Sequence, residues 1–334
     1  MSTTPNLPSC FRSCTTSSVG RVLVVTDTST QPFPDQSTVV TIGAYDGLHL
    51  GHQAVIAQVR AIAAERNAKS AVVTFDRHPA TIVRPESAPK LLTDHEQRLE
   101  LFEQTGIDAA VVLPFDEHQA QEPPLAFVER VLFKCLRTEC VVVGDDFHFG
   151  RHREGTVTLL REYGATYGFD VEPVHLMARP DGIDEPLSST AIRRALAGGE
   201  VELAAKLLGR PFEARGVVVA GDKRGRLLGF PTANVEVPTR VCVPADGVYA
   251  GWYERPDGLA HPCAINLGRR PTFYEHADHS LLEAHLIDFD EDLYWERARV
   301  RFTNFLRSER KFAGIDALVA QLKLDVEHAR QLLV

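Results

Sequence analysis

Apolar positions in the first half of the chain follow two rhythms that alternate. Val22–Thr26, Val39–Gly43, Ala71–Phe75, Ala109–Leu113 and Cys140–Gly144 are short runs rich in β-branched residues. They lack strict in–out alternation, as strands buried on both faces do. Between them lie segments with helical spacing. Gly51–Ala64 places Val55, Ile56, Val59, Ile62 and Ala63 on one stripe. Asp94–Thr105 reads as a helix capped by Thr93 or Asp94. Pro124–Leu136 carries Leu125, Val128, Val131, Leu132 and Leu136 on one side. Strands separated by helices predict a parallel sheet covered on both faces, an α/β doubly wound domain.

From Ala214 the rhythm changes. Six extended segments follow, Gly216–Ala220, Thr232–Val237, Val248–Tyr253, Cys263–Leu267, Leu281–Ile287 and Ala298–Phe305, separated by turn residues. They predict an antiparallel sheet or small barrel, closed by one amphipathic helix over Gly314–Leu333. A helix should stop near Gly209-Arg210-Pro211. The expected organisation is a tail over 1–20, one domain over 21–208 and a second over 209–334. No internal repeat relates the halves.

Composition narrows the function classes. The 334 residues are 44% apolar and 24% charged, with a net charge of −9 and no Lys/Arg block. A sequence-independent grip on nucleic acid is thereby disfavoured, since it rests on neutralising many phosphates. Small anionic ligands need only a few cations and a helix end. No apolar stretch reaches the length of a membrane span. Cys10, Cys14, Cys135, Cys140, Cys242 and Cys263 form no Cys-x-x-Cys pair and read as reduced thiols of a cytoplasmic protein. The tail, with Arg12 its only charge, lacks the apolar segment of a secretory signal; it reads as disordered or as a mis-set start. A monomer or weak homo-oligomer is expected.

Two segments carry candidate chemistry. In Thr41-Ile-Gly-Ala-Tyr-Asp-Gly-Leu-His-Leu-Gly-His52 a strand turns into a helix. Gly43, Gly47 and Gly51 permit a tight turn and a close approach to ligand. Asp46 lies within the turn and is expected with the glycines on the ATP phosphates, and His49 and His52 flank the helix start. The free N–H groups there attract an anion, and two imidazoles can donate to phosphate oxygens. Such a site suits nucleotidyl transfer, which needs alignment and charge stabilisation. Without a ligand the two histidines would be ordinary helix-start residues. Ser188-Ser189-Thr190-Ala191-Ile192-Arg193-Arg194 opens another helix, either as a simple N-cap or as a second anion cradle using Ser189, Thr190 and Arg193.

The second segment is Gly221-Asp-Lys-Arg-Gly-Arg-Leu-Leu-Gly-Phe-Pro-Thr-Ala-Asn234. Gly221, Gly225, Gly229 and Pro231 punctuate a loop bearing Lys223, Arg224 and Arg226, whose amides can wrap phosphate oxygens. Thr232 and Asn234 fall on one strand face and offer neutral oxygens to a hard divalent cation. A basic hairpin turn is the plainer alternative.

His-x-Gly-His with Ser-Ser-Thr-x-Ile-Arg resembles the nucleotidyltransferase superfamily. Val73-Thr-Phe-Asp-Arg-His-Pro79 and Val143-Gly-Asp-Asp-Phe-His-Phe-Gly150 are similar to segments of bacterial FAD synthetases. That resemblance implies a Rossmann-like, nucleotidyltransferase-like fold and transfer of AMP from ATP to FMN. It puts Phe75, His78 and Pro79 on the flavin side, and Gly144, Asp146 and Phe147 near the nucleotide. The chain departs from the pattern at Ala44 and Tyr45, where many relatives have Asn and Phe, at Arg77, where many have Pro, and at Pro186, where some have Arg.

Gly-Phe-Pro-Thr-Ala-Asn, Pro244-Ala-Asp-Gly-Val-Tyr249, Asn266-Leu-Gly-Arg-Arg-Pro-Thr-Phe273 and Glu283-Ala-His-Leu-Ile-Asp-Phe289 resemble riboflavin kinases across 210–330. This implies a six-stranded antiparallel β-barrel, ATP with Mg2+, and phosphorylation of the ribityl chain. Thr232 and Asn234 would then hold the metal, and Glu283 would take the hydroxyl proton. Asn266, Arg270 and Thr272 would line the flavin or nucleotide loops, and Arg307 and Phe312 would cap the flavin ring. Trp295 stands where family members have Gly. His276 and His279 read as a solvated loop.

A bifunctional flavin-cofactor enzyme is therefore expected, with FMN and FAD as products. Two alternatives stay open: a kinase whose first domain is weak or uses another acceptor, and a flavin-binding protein without turnover.

Overall fold

A computed structural model describes residues 22–174, 177–221, 224–268 and 281–334. The expected tail over 1–20 lies outside them.

The first domain is built on six parallel strands: β1 (Leu23–Val25), β2 (Thr38–Ile42), β3 (Lys69–Phe75), β4 (Ala109–Leu113), β5 (Thr138–Gly144) and β6 (Asp170–Val174). Their spatial order is β1-β4-β3-β2-β5-β6. Every residue of β2 and β4 is buried, which is why these strands read as continuous apolar runs. Helix α1 (Leu50–Glu65) follows β2 and α2 (His95–Thr105) precedes β4. Asp94 caps α2 by accepting from Gln97 N. The segment expected as a helix over Pro124–Leu136 begins as one α turn at Pro124–Phe127. It continues as a π-helix over Val128–Cys135, burying Val128, Val131, Leu132 and Cys135.

The chain runs outward from β2 through β3 to β4, then returns to place β5 on the other flank of β2. The strand order thus reverses between β2 and β5. In such sheets the crevice beyond the carboxyl ends of those strands is where ligands bind. Residues 43–49 follow β2 there, and 145–150 follow β5.

Three further helices matter: α3 (Val157–Tyr167), α4 (Ser189–Ala197) and α5 (Val201–Leu208). The last two join the second domain's core. Leu187, Ile192, Leu196, Leu207 and Leu208 share one apolar cluster with Phe212, Val218, Tyr249 and Phe302.

The second domain is a closed antiparallel barrel of β7 (Phe212–Val219), β8 (Ala233–Glu236), β9 (Gly247–Glu254), β10 (Ala260–Gly268), β11 (Leu281–Leu286) and β12 (Arg297–Arg307), in the order β8-β11-β10-β9-β12-β7. Tyr249, Ile265, Leu282, Ala284, Val300 and Phe302 fill its interior. Intervening residues face out, as a period of two requires. Helix α6 (Ile315–Leu333) covers part of that outer face, where Ala329 meets Ala250, Ala264 and Ile287.

The outer face of β7 and β12 is rich in arginine and meets α2. Glu100 of α2 receives Arg215 (2.6 Å) and Arg299 (2.9 Å). Arg215 also bonds Glu213 (2.7 Å), and Arg301 bridges Glu213 and Glu254. Glu100 and Glu213 hold the Arg215 guanidinium above its ordinary pKa despite burial, which opposes them. Removing one member of a buried charge network strands the others. We therefore expect Arg215→Met to destabilise the chain by about 3 kcal/mol, read as a lower denaturant midpoint. A midpoint unchanged from wild type would show that the network adds nothing.

Candidate active sites

The turn after β2 is strained. Tyr45 (φ 51°), Gly47 (φ 82°) and Leu48 (φ 38°) all adopt left-handed backbone, a costly conformation for the two non-glycine residues. At Gly47 a side chain would also strike Leu92, 2.8 Å from the position of a Cβ. Several contacts hold the turn. Tyr45 OH and Thr41 Oγ1 share a buried hydrogen bond of 2.6 Å. Arg210 donates to the carbonyls of Gly47 (2.7 Å) and Leu48 (3.3 Å).

Asp46 is the centre of the turn and only 3% exposed. It accepts from the amides of Leu92 (2.9 Å) and Thr93 (3.1 Å) and from Arg193. Its carbonyl accepts from Ser189 Oγ (2.8 Å). Ser188 caps α4 by accepting from Ala191 N (3.2 Å), and Arg193 also donates to the Lys90 carbonyl. The two sequence-predicted segments therefore meet, with Asp46 between them. Thr190 is exposed beside them.

His49 is the N-cap of α1, and its Nδ1 accepts from His52 N at 3.3 Å. The proton of the neutral ring therefore sits on Nε2, leaving that atom as a donor. The His49 and His52 rings stack at 3.6 Å, with Gly51 against the His49 ring and Gly43 against Tyr45. Burial, then Arg210 and Arg193, lower His49 to about 4. Burial and His49 hold His52 well below the ordinary value.

The other predicted segments border this turn. Phe75 ends β3 and packs edge-on against Phe115. His78 Nδ1 accepts from Ala80 N (3.1 Å), and Pro79 starts the short helix Ala80–Val83. Burial lowers His78, with Asp46 opposing and Arg193 reinforcing the shift, so this segment lies within electrostatic reach of the Asp46 pair. Asp146 is exposed beside Gly144, and Phe147 stacks on Phe149. Of the departures, Ala44 uses only its carbonyl, Arg77 pairs with Asp76 in the open, and Pro186 bridges to Ala178.

In the barrel, register aligns the polar candidates. Asn234 on β8 lies opposite Glu283 on β11, which lies opposite Asn266 on β10. Opposed residues share a face, and this row is on the outside. It continues through Val248 to Arg307 on β12. Asn234 Oδ1 is buried and accepts no hydrogen bond among the described residues. Its amide packs against Gly221, where any side chain would collide with it. Thr232 is exposed just before β8, and the Pro231 carbonyl accepts from His285 (2.7 Å). Gly225 and the exposed Arg226 belong to a short helical turn, and Gly229 (φ 85°) follows it. Arg307 forms a two-pronged pair with Asp325 and lies over the Phe312 ring at 5.7 Å. Lys223, Arg270, Thr272, His276 and His279 lie outside the described residues.

Arg98, Arg210 and Glu309 were not singled out by sequence. Arg98 is 5% exposed and Arg210 holds the first turn. Glu309 presses on Gly268. Burial, with Asp246 and Glu283 adding and Arg307 opposing, pushes its carboxyl up. None has a periodic signal. Arg210 falls within Gly209-Arg210-Pro211, which reads only as a helix stop.

A strained glycine turn at the switch point of a parallel α/β sheet, joined to a barrel with a polar outer row, is the architecture of a two-domain nucleotide-dependent transferase, and the family matches bear this class out. The FAD synthetase family model matches residues 32–191 and the riboflavin kinase model residues 208–333. The chain is 38% identical over 304 residues to a bifunctional riboflavin kinase/FMN adenylyltransferase of Listeria monocytogenes, covering 90% of this chain and 94% of that protein. It is 40% identical over 294 residues to the protein of the same name in Pseudomonas fluorescens, covering 88% and 92%. A solved structure from Streptococcus pneumoniae, described as a macrolide-efflux protein, superposes with a TM-score of 0.81 at 29% identity, covering 92% of this chain and 98% of that one. No helix among the described residues is long and apolar enough to cross a membrane. The chain belongs to the bifunctional riboflavin kinase/FMN adenylyltransferase family.

The His49 shift has a consequence in pH. Its folded-state pKa is about 4 against 6.5 for the free side chain. The unfolded chain therefore binds the extra proton between those values, and stability falls as pH drops through that window. NMR of the imidazole should show His49, assigned with His49→Gln, neutral at pH 6 with a midpoint near 4. A midpoint near 6.5 would contradict the buried site.

Proposed function

We infer that the chain makes FMN from riboflavin and FAD from FMN, using ATP in both steps. The carrying observation is that one chain holds a helix-start anion turn at a sheet switch point and a barrel row of Asn234, Glu283 and Asn266, on the two folds whose family models match.

In the kinase reaction the ribityl hydroxyl attacks the γ-phosphorus of ATP and ADP leaves. Glu283 takes the hydroxyl proton; its place opposite Asn234 and Asn266 supports this role. The buried, unpartnered Asn234 Oδ1 suits a hard cation, so Thr232 and Asn234 are assigned to Mg2+. When bound, the cation neutralises phosphate charge. The Gly221–Pro231 loop, with Lys223, Gly225, Arg226 and Gly229, is assigned to ATP phosphates. Asn266, Arg270, Thr272, Arg307 and Phe312 are assigned to the flavin.

In the adenylyl transfer the FMN phosphate attacks the α-phosphorus of ATP and pyrophosphate leaves. Neutral His49, its proton on Nε2, donates to phosphate oxygen, with His52 stacked beneath it. Gly43, Gly47, Gly51, Ser189 and Thr190 are assigned to ATP around the helix starts, with Asp146 across the crevice. Asp46 and Arg193 hold the geometry as an ion pair. Phe75, His78 and Pro79 are assigned to FMN. Cys135, Cys140, Cys242 and Cys263 are free thiols, in keeping with a reducing, cytoplasmic setting.

Incubation with riboflavin, ATP and Mg2+, followed by chromatography of the flavins, should show FMN and then FAD. FMN without FAD would favour a kinase with a silent first domain. Bound riboflavin with no FMN would favour a binding protein. With FMN supplied, His49→Ala should cut FAD formation about 100-fold and spare riboflavin phosphorylation. Glu283→Ala should do the reverse. Loss of both reactions from either change in a folded chain would defeat the assignment of separate sites.

A further inference from the structure

Arg98 projects from α2 towards the ends of two sheet strands. Its side chain is buried at 5% exposure. One terminal nitrogen donates to the Ala44 carbonyl at 3.1 Å, and the other donates to the Phe75 carbonyl. Ala44 opens the strained turn after β2, immediately before Tyr45 (φ 51°). Phe75 ends β3 and leads into Asp76, Arg77 and His78. Thr74 Oγ1 also donates to the Ala44 carbonyl, at 3.3 Å. One rigid guanidinium fork thus spans the two loops assigned to the nucleotide and to the flavin. Asp46, Asp76 and Asp94 supply its countercharge, and His95 Nδ1 lies 3.4 Å away.

The root of the fork is itself fixed. Glu100, two residues along α2, is held by Arg215 and Arg299 of the barrel. Gln97 reaches the Glu213 carbonyl at 3.4 Å. The helix is therefore gripped on one side by the second domain and grips the first site on the other.

We propose that Arg98 is a positioning residue for adenylyl transfer, setting the spacing between the ATP turn and the FMN segment through the Ala44 and Phe75 carbonyls. The inference rests on the reading of the first domain as an adenylyltransferase. A guanidinium suits the task because its fork can bind two acceptors in fixed geometry, whereas an ammonium serves as a point donor. Misplacement of reacting groups by about 1 Å can cost on the order of 100-fold in rate.

The experiment compares Arg98→Met and Arg98→Lys with wild type in the full chain, measuring both reactions and thermal melting. With FMN and ATP supplied, Arg98→Met should lose about 10- to 100-fold in kcat/KM for FAD formation, with KM for FMN raised and kcat lowered. Riboflavin phosphorylation should stay within about twofold of wild type, because Arg98 touches nothing in the barrel's polar row. Arg98→Lys should recover part of the loss, since one carbonyl keeps a donor. A folded Arg98→Met with wild-type FAD formation would overturn the proposal, as would a parallel fall of both reactions with the melting midpoint. A Lys variant equal to wild type would overturn the need for a fork, and it remains informative if the Met variant does not fold. Wild type that makes no FAD from FMN would instead defeat the adenylyltransferase reading itself.

Discussion

The structure turns on the carboxylate of Asp46. A charge this buried is tolerable only when protein donors replace water. Asp46 finds them in the Leu92 and Thr93 amides, the Thr93 hydroxyl and Arg193. Each donor comes from a different part of the chain from Asp46 itself, so satisfying one group fixes three segments together. The same contacts offset the cost of the left-handed Tyr45 and Leu48. A turn in that conformation persists only where its surroundings over-determine it. Here they do, through Arg210 below, Thr41 beside and Thr93 Oγ1 accepting from Gly47 N at 3.1 Å.

This constraint reaches the second domain. The strap that serves Asp46 is also stitched to the barrel: Leu91 N donates to Arg240 O (2.8 Å), and Cys242 N donates to Leu91 O (2.7 Å). Leu92 on the same strap belongs to the apolar cluster that includes the barrel interior. Helix α4, pinned to Asp46 through Arg193 and Ser189, packs in that cluster too. The polar contacts of α2 add a second seam. Two reactions with separate chemistry are thus carried by domains whose interface is also the scaffold of the first site.

Much of this was legible in sequence where local pattern decides structure. The buried strands β2 to β5, the helix after the glycine turn, and the six barrel strands all announce themselves by periodicity. Where pattern is weak, the reading stops. Strand β6 is an edge containing Asp170, Glu172 and Pro173, composition that argues against a strand except at an edge. The π-helical stretch over Val128–Cys135 has a periodicity close enough to an α-helix to pass for one. The pairing of Asn234, Glu283 and Asn266 depends on register between strands far apart in sequence, which alternation within one strand cannot supply. Buried arginines are the sharpest gap. Arg98 and Arg210 look like any helix-surface or loop cation, and only the carbonyls they meet show what they do.

The two candidate sites also differ in the groups they would offer a phosphate, and their surroundings explain why. At the first, burial lowers both histidines, with Arg210 and Arg193 adding at His49 and His49 adding at His52, so these residues offer an anion directed N–H donors and the start of α1. A charged imidazole there would add repulsion against Arg193 and Arg210; a neutral one adds a directed hydrogen bond without disturbing the Asp46 pair. At the second, the row lies on an outer barrel face with carboxylates at Glu283 and Glu309, where a cation is electrostatically welcome. Neutral oxygens at Thr232 and Asn234, rather than imidazoles, fit that environment if the proposed assignment to a cation holds. On the proposed assignments, the charge already present at each site favours directed donors at the first and a cation at the second.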